Sequence, residues 1–273
     1  MKKTLRNLVQ SILRSVNLRL VRVGSSSHRR LGAYEAAVMS LLCTSERLRI
    51  VVVGANDGKH NDPIYATVRE FIGQRTQMIL IEPQKRLHGY ISEHYAFHDD
   101  VHILECAIGK GEADTLELHA VRPEYWARAQ PEYAKNRNWP EYRAPTGITS
   151  TDRSKVLAWV TKHVKGLGDA EVAVESFEVP SRSLSAALSE AGLDASLDVL
   201  QIDAEGFDDV IIYNSDLVRT RPQIVYFESK TLSSDRFDQL NAYLEKIGYI
   251  TFGVGGDTLA FRLNISKHPD SKF

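Results

Sequence analysis

Glycines and carboxylates stand at the ends of two successive apolar runs, and these residue types suit the binding of a nucleoside. The first run, residues 50–53, stops at a short loop made of Gly54, Ala55, Asn56, Asp57 and Gly58. Glycines in such a loop allow positive φ and a close approach of the backbone to a ligand. The second run ends in Glu82, whose carboxylate can accept hydrogen bonds from both hydroxyls of a ribose. The alternative for Glu82 is a cap on the helix that follows.

The spacing of the glycines argues against a phosphate site. Gly54 and Gly58 are four positions apart, so the pattern G-x-G-x-x-G is absent, and no Gly-Lys-Ser or Gly-Lys-Thr follows. The loop therefore favours the nucleoside and amino-acid parts of a cofactor. Cys106 and Ala107, at the end of a third apolar run, are small enough to line a slot for an adenine ring.

Three more carboxylates end later apolar runs and are candidates for acid–base chemistry. They are Asp203, Glu205 and Glu228. Burial raises the pKa of a carboxyl group toward neutrality, where it can serve as a general base. Asp203 is the first candidate and Glu205 the second, with helix capping as the alternative for Glu205. Three carboxylates in one crevice could hold a divalent cation, but the sequence shows no dedicated metal site.

The elements that must position these residues alternate between strand and helix patterns. Strands are predicted at 49–53, 77–81, 101–107, 115–121, 197–202, 223–227 and 249–254, and helices at 63–73, 84–95, 183–191, 206–213 and 233–248. Strands that are apolar on both faces and separated by helices predict an α/β protein with a mostly parallel sheet. A final hairpin joins 249–254 to 258–262. Ligands bind such sheets at the carboxyl ends of the strands, where the candidate residues lie.

The order of these motifs resembles the FkbM-type S-adenosylmethionine-dependent methyltransferases. The matching segments are V-G-A-N-D-G at 53–58, I-E-P at 81–83, V-P-S-R-S-L at 179–184, I-D-A-E-G at 202–206 and the strand that ends in Glu228. The resemblance spans residues 50–262. It implies the class I methyltransferase fold, a Rossmann-like seven-stranded, mostly parallel sheet with a C-terminal antiparallel hairpin. It also implies S-adenosyl-L-methionine as the cofactor.

Site roles follow from the resemblance position by position. Gly54, Ala55, Asn56 and Asp57 would wrap the methionine part, Glu82 would hold the ribose, and Cys106 and Ala107 would line the adenine pocket. Asp203 would lie beside the transferable methyl group, with Glu205 and Glu228 as further catalytic candidates. The chain departs from the family at Val52, where an acid that helps to hold the methionine part usually stands. Asp57 is the candidate to supply that charge instead.

Two segments fall outside the resemblance. Residues 1–30 form a basic addition to the expected methyltransferase domain at 31–273, and 122–153 form an insertion or lid within it. Residues 1–22 have the pattern of a basic amphipathic helix. Such a helix either docks on the domain or on another subunit of a homo-oligomer, or contacts anionic lipid as a peripheral anchor.

The insertion is unusually aromatic and has interleaved arginines. Its aromatic residues are Tyr125, Trp126, Tyr133, Trp139 and Tyr142. They suit a sugar ring with anionic substituents, a nucleotide or an acidic lipid head group, and the alternative is a small satellite core or a dimer contact. The following segment, 147–153, is expected at the rim of the active site.

The composition of the chain narrows the classes of function that remain possible. A net charge of −1 gives no general attraction to nucleic acid, and no apolar run approaches the roughly 18 residues of a membrane span. Cys43 and Cys106 lack metal-site spacing and are expected to be buried thiols in a reducing cytoplasm. The leading prediction is a cytoplasmic O-methyltransferase that acts on a saccharide, such as a polysaccharide or glycolipid, at the inner face of the membrane. The alternatives are methylation of a small molecule or a carboxylate, and a non-catalytic binding module, which Val52 favours.

Overall fold

The computed structural model describes residues 31–109, 115–129, 131–134, 137–193 and 196–263. The predicted basic helix at 1–22 and its membrane contact lie outside the described residues. The strands are β1 (Leu48–Val53), β2 (Thr76–Ile81), β3 (Val101–Leu104), β4 (Ala107–Ile108), β5 (Thr115–Val121), β6 (Val174–Arg182), β7 (Val199–Ile202), β8 (Ile224–Glu228), β9 (Tyr249–Val254) and β10 (Asp257–Arg262). The α-helices are α1 (Ala33–Leu41), α2 (Tyr65–Thr67), α3 (His88–His94), α4 (Arg143–Gly147), α5 (Arg153–His163), α6 (Leu184–Glu190), α7 (Asp208–Tyr213), α8 (Leu217–Thr220) and α9 (Ser234–Lys246). Shorter π or 3₁₀ turns cover Val68–Ile72, Gly73–Arg75, Lys85–Leu87, Pro123–Arg128, Glu132–Ala134 and Ala170–Ala173.

Seven strands form the main sheet in the order β3-β2-β1-β7-β8-β10-β9. The strands β3, β2, β1, β7 and β8 pair in parallel, and β10 pairs antiparallel with both β8 and β9. The expected seven-stranded, mostly parallel sheet with a C-terminal hairpin is confirmed. The strand order reverses between β1 and β7, and a sheet of this kind opens its ligand crevice at that point.

The sheet is buried on both faces, which explains the continuous apolar runs. Val51 and Val53 of β1 face a cluster with residues of α6, α7 and α9, whereas Ile50 and Val52 face a cluster on the side of α1 and α3. Helices therefore cover both faces, as predicted from the alternation of strand and helix.

A second sheet of three strands, in the order β4-β6-β5, lies beside the main one. The predicted strand at 101–107 is in fact two strands, because β3 pairs with β2 whereas β4 pairs with β6. The long strand β6 was not predicted as a strand. Its residues 174–180 pair with β5, which matches the predicted strand at 115–121, and its last two residues pair with β4.

The two cysteines are free and lie in different surroundings. Cys106 is buried, as expected, but Cys43 is exposed just after α1, so the prediction that both are buried is wrong for Cys43. None of the helices in the described part of the chain is long and apolar enough to cross a bilayer.

Candidate active site

A cavity of about 650 Å³ lies at the carboxyl ends of β1, β2 and β7. Seven of the predicted site residues line it: Gly54, Asn56, Glu82, Cys106, Ala107, Asp203 and Glu205. The segment predicted at the rim, 147–153, also contributes to the wall, through Gly147 and 149–152. Ala55, Asp57 and Glu228 are not among the lining residues. The structure thus gathers most of the candidates in one place, and their individual roles stay predictions.

Gly54 and Asp203 hold the two central loops against each other. The backbone N–H of Asp203 donates to the Val53 carbonyl at 3.0 Å. Gly54 has φ +79°, and a Cβ at that position would collide with the carbonyl oxygen of Asp203. Only glycine combines this φ with so close an approach. The loop after β1 and the loop after β7 therefore meet directly at the floor of the cavity.

Glu82 ties the loop after β1 to the loop after β2. Its Oε2 accepts a hydrogen bond from the Asn56 backbone N–H, and its Oε1 accepts one from the Gln84 backbone N–H, both at 2.8 Å. Burial raises the pKa of Glu82 to about 7, against the lowering effect of these hydrogen bonds. Each carboxylate oxygen retains a further acceptor position, so the ribose contact predicted for Glu82 remains open to it. The helical turn that follows begins at Lys85, so the bond from the Gln84 N–H is not the helix cap that was the alternative for Glu82.

Asp57 faces into its own loop and away from the cavity. Its Oδ1 accepts hydrogen bonds from the backbone N–H groups of Lys59 and His60, and its Oδ2 lies 2.6 Å from His60 Nδ1. Burial acts to raise the pKa of Asp57, but the hydrogen bonds from His60 and the backbone outweigh it and lower the pKa. The oxygens of Asp57 are therefore engaged in shaping the loop. Nothing in this geometry supports its predicted contact with the cofactor.

Val52 occupies the core on the other face of β1. It is 1% exposed and packs in the cluster that contains Tyr34 and Tyr226. The valine therefore fills apolar space and supplies no charge, and the compensating role predicted for Asp57 stays a prediction.

Asp203 is the central ionisable group of the cavity wall. Its Oδ1 is buried and has no hydrogen-bond partner among the described residues. Burial, followed by the negative charges of Glu205 and Glu228, raises the pKa of Asp203 to about 7. A carboxyl group with these properties is close to half ionised at neutral pH and can accept a proton from a ligand.

Glu205 and Glu228 lie on either side of Asp203 in different settings. Glu205 has φ +52°, and its carboxylate pairs with Lys155 Nζ at 3.3 Å, so it does not cap α7. Burial raises the pKa of Glu205, and Lys155 opposes the rise. Glu228 pairs with Lys230 Nζ at 2.5 Å outside the lining of the cavity. Its predicted catalytic role consequently has less geometric support than that of Glu205.

Asp208 is a buried carboxyl group near Asp203 that the sequence analysis did not single out. It accepts hydrogen bonds from the backbone N–H groups of Gly206 and Glu228, both at 3.2 Å. Burial and then the charge of Asp203 raise the pKa of Asp208 to about 8. Its position at the start of α7 was the sequence feature that could have marked it as a site residue.

The insertion contributes its short helix α4 to the cavity wall, and hydrogen bonds fasten this helix to the loop after β1. Tyr142 Oη donates to Asp57 Oδ2 at 3.0 Å, Arg143 Nε donates to the His60 carbonyl at 2.7 Å, and Asn56 Nδ2 donates to Thr146 Oγ1 at 3.1 Å. These three bonds join α4 and the residue before it to three residues of the segment 56–60.

The aromatic residues of the insertion do not face the cavity. Tyr125, Trp126 and Trp139 pack around Trp159 and Val160 in a small cluster of their own. None of the insertion's five aromatic residues is among the described residues that line the cavity. For Tyr125, Trp126 and Trp139 the structure supports the satellite core, and the expected aromatic surface for a sugar ring stays a prediction.

Further residues of the cavity wall were missed as site residues from the sequence. They are Gln84, Arg143, Thr146, Lys155, Phe207, Thr231 and Arg236. Gln84 directly follows the I-E-P segment, which was a usable signal. The others come from α4, α5 and α9 and from the turns just before α7 and just after β8, and only the fold brings them to this wall.

Comparison with known proteins identifies the family. Residues 53–251 match the methyltransferase FkbM domain. No protein of curated function matches the chain. Among solved structures, precorrin-6y C5,15-methyltransferase from Geobacter metallireducens has 11% identity and a TM-score of 0.39, covering 87% of this chain and 93% of that chain. A putative RNA methyltransferase from Pyrococcus horikoshii has 10% identity and a TM-score of 0.40, covering 98% of each chain. These structural likenesses are too distant to bear on function, so the family match carries the assignment.

Proposed function

The chain belongs to the methyltransferase FkbM family, and on that premise we propose that it methylates a hydroxyl group of a saccharide or glycolipid. The family makes it an enzyme that uses S-adenosylmethionine. The proposal for the acceptor is carried by Asp203, a carboxyl group of raised pKa in a cavity whose lining includes many polar side chains.

The residues of the cavity fit the cofactor. Ile81, Cys106, Ala107 and Ile108 provide an apolar surface for an adenine ring, and Glu82 has free acceptor positions for ribose hydroxyls. When bound, S-adenosylmethionine supplies an electrophilic methyl group that is open to in-line attack. The protein must then position the acceptor and remove its proton.

Asp203 supports a hydroxyl as the acceptor. A hydroxyl must lose its proton as it attacks, and a carboxylate whose pKa is about 7 can take that proton at neutral pH. A carboxylate acceptor would need no base, and the negative charges of Asp203 and Glu205 would repel it. The alternative of carboxylate methylation is therefore disfavoured.

The polar part of the cavity lining supports an acceptor with many hydroxyl groups. Its side chains come from three segments: Thr149, Ser150, Thr151, Asp152, Lys155, Thr231 and Arg236. Hydroxyl, carboxylate and ammonium groups can exchange hydrogen bonds with a sugar at several positions. A small natural product with few polar groups would leave much of this wall unpaired.

The test is transfer of labelled methyl groups from S-adenosylmethionine to a panel of cell-envelope saccharides and glycolipids. We expect a methyl ether on a hydroxyl, and a rate that rises as the pH passes through about 7, because Asp203 must be ionised to act. Asp203→Asn should reduce turnover by about 10²–10⁴-fold, the usual contribution of a general base. Asp62→Asn is the matched control, since burial raises the pKa of Asp62 to about 6 but Asp62 lies outside the cavity lining. Full activity in Asp203→Asn would remove the base from the proposal.

A further inference from the structure

Arg143 is a buried cation in the cavity wall whose main donor groups are unused. The residue is 8% exposed and lines the cavity. Its Nε donates to the His60 carbonyl at 2.7 Å. Within the described residues, its two terminal nitrogens donate no hydrogen bond and form no ion pair with a carboxylate. A buried guanidinium with four unused N–H groups is costly unless a ligand satisfies it.

The guanidinium is held in place rather than free to turn away. It lies over the ring of Trp139, with Cζ 5.2 Å from the ring centroid. On the side of α4, a Cβ at Gly147 would lie 2.6 Å from Nη1, so the glycine leaves room for the charged group. Together with the hydrogen bond from Nε to His60, these contacts fix the plane of the guanidinium group next to the loop after β1.

The location of Arg143 in the cavity determines which part of the cofactor it can contact. The resemblance assigns the ribose to Glu82 and the neighbourhood of the methyl group to Asp203, and the positive charge of Arg143 acts on both of these carboxyl groups. Arg143 therefore lies near the stretch that a methionine chain would occupy. The chain lacks an acid at position 52, and Asp57 is engaged in its loop, so the described loop residues offer no other buried charge for the methionine part.

We propose that Arg143 binds the carboxylate of the methionine part of S-adenosylmethionine. The planar fork of an arginine matches a carboxylate in geometry and charge, and two parallel hydrogen bonds make such a pair strong. The inference rests on the cofactor of this family and not on the acceptor proposed above. It also gives α4 a function, which is to hold an anion-binding residue beside the loop after β1.

A binding cycle tests this pairing directly. Isothermal titration calorimetry would measure S-adenosylmethionine and decarboxylated S-adenosylmethionine, which lacks only the carboxylate, with the wild type and with Arg143→Met. We expect the wild type to prefer the intact cofactor by about 10–100-fold, the range of a charge-assisted hydrogen-bonded pair. Arg143→Met should bind both ligands with affinities within about threefold of each other, because the preference depends on the guanidinium.

Two further variants make the cycle decisive. Arg137→Met is the matched control, because Arg137 lies over the same Trp139 ring at 4.8 Å and donates to Asn61 Oδ1 but does not line the cavity. It should retain the wild-type preference. Arg143→Lys keeps the charge without the fork and should give an intermediate preference, and it serves in place of Arg143→Met if that variant does not fold.

Two results would overturn the inference while the wild type still binds S-adenosylmethionine. In the first, Arg143→Met lowers the affinity for both ligands equally, which means that the arginine only supports the loop. In the second, cofactor affinities are unchanged while the KM for the acceptor rises, which means that the arginine binds an anionic group of the acceptor. Failure of the wild type to bind S-adenosylmethionine would instead contradict the cofactor itself.

Discussion

Replacing Asp203 with asparagine should change how the stability of the cofactor-free protein depends on pH. The pKa of Asp203 is raised from 3.8 to about 7 in the folded protein. The folded state therefore holds a proton between these two values that the unfolded state has released. The contribution of this group to stability is fully present below pH 3.8 and is lost as the pH rises through about 7. Asparagine cannot ionise, so the variant escapes this loss.

The size of the effect follows from the two pKa values. A shift of about three units corresponds to about 4 kcal/mol at 1.36 kcal/mol per unit, and about 2–3 kcal/mol of it accrues between pH 5 and pH 8. This figure is an upper limit, because Asp203 is only half-buried and its cavity opens to solvent. The free energy of unfolding of Asp203→Asn, relative to the wild type, should thus increase by up to this amount over that range.

Urea unfolding of the cofactor-free protein at pH 5, 6, 7 and 8 measures the difference. Asp238→Asn is the control, because Asp238 is an exposed carboxylate on α9 and lies outside the cavity. Its difference from the wild type should stay constant across the series. The reasoning would be refuted if Asp203→Asn also ran parallel to the wild type at all four pH values, since the carboxyl group would then titrate alike in the folded and unfolded states.

Three other predictions concern the loops, the ribose contact and the N-terminal segment. Gly54→Ala should lower the free energy of unfolding by about 2–4 kcal/mol, because the added Cβ would collide with the Asp203 carbonyl. The control is Gly192→Ala, where φ is +70° and no neighbouring atom lies within 4 Å, and it should lose only about 1 kcal/mol in denaturant unfolding. Equal losses in the two variants would contradict the collision. Glu82→Ala should weaken the binding of S-adenosylmethionine by about tenfold or more in calorimetry, the usual loss of affinity when a charged hydrogen-bonding group is removed. An unchanged affinity would exclude the ribose contact. We also propose that residues 1–30 promote membrane contact, so their removal should reduce co-sedimentation with anionic liposomes, and unchanged co-sedimentation would rule this out.

The sheet and the floor of the site were predictable because their signals are local. Each strand of the main sheet is a short apolar run, and the residues that follow β1, β2 and β7 must meet at one edge of a parallel sheet. Gly54, Glu82 and Asp203 were accordingly placed together from the sequence, and they line one cavity.

Other features depended on tertiary contacts that a local pattern does not contain. The run at 101–107 looks continuous, but its two halves pair with different strands, β2 and β6. The aromatic insertion was compatible with a ligand surface or a small core, and only the packing around Trp159 shows that three of its aromatic residues belong to a core. Arg143 was visible only as one of several arginines, and its burial beside the loop is a product of α4.

The bonds that Asp57 makes within its loop had a local signal in the sequence. An aspartate at a tight turn tends to accept hydrogen bonds from backbone N–H groups two and three positions later. Asp57 does so with Lys59 and His60, so its side chain turns toward its own loop. The pattern Asp-Gly-Lys-His therefore predicts a residue that shapes the loop more readily than one that contacts a ligand.

The most direct test of the central claim is the fate of a labelled methyl group supplied on S-adenosylmethionine, followed with wild type and Asp203→Asn on a saccharide panel. The account predicts a methyl ether on a sugar hydroxyl with the wild type and a loss of at least about 10²-fold with the variant. Label found only as an ester or on nitrogen, or equal transfer by both proteins, would contradict it.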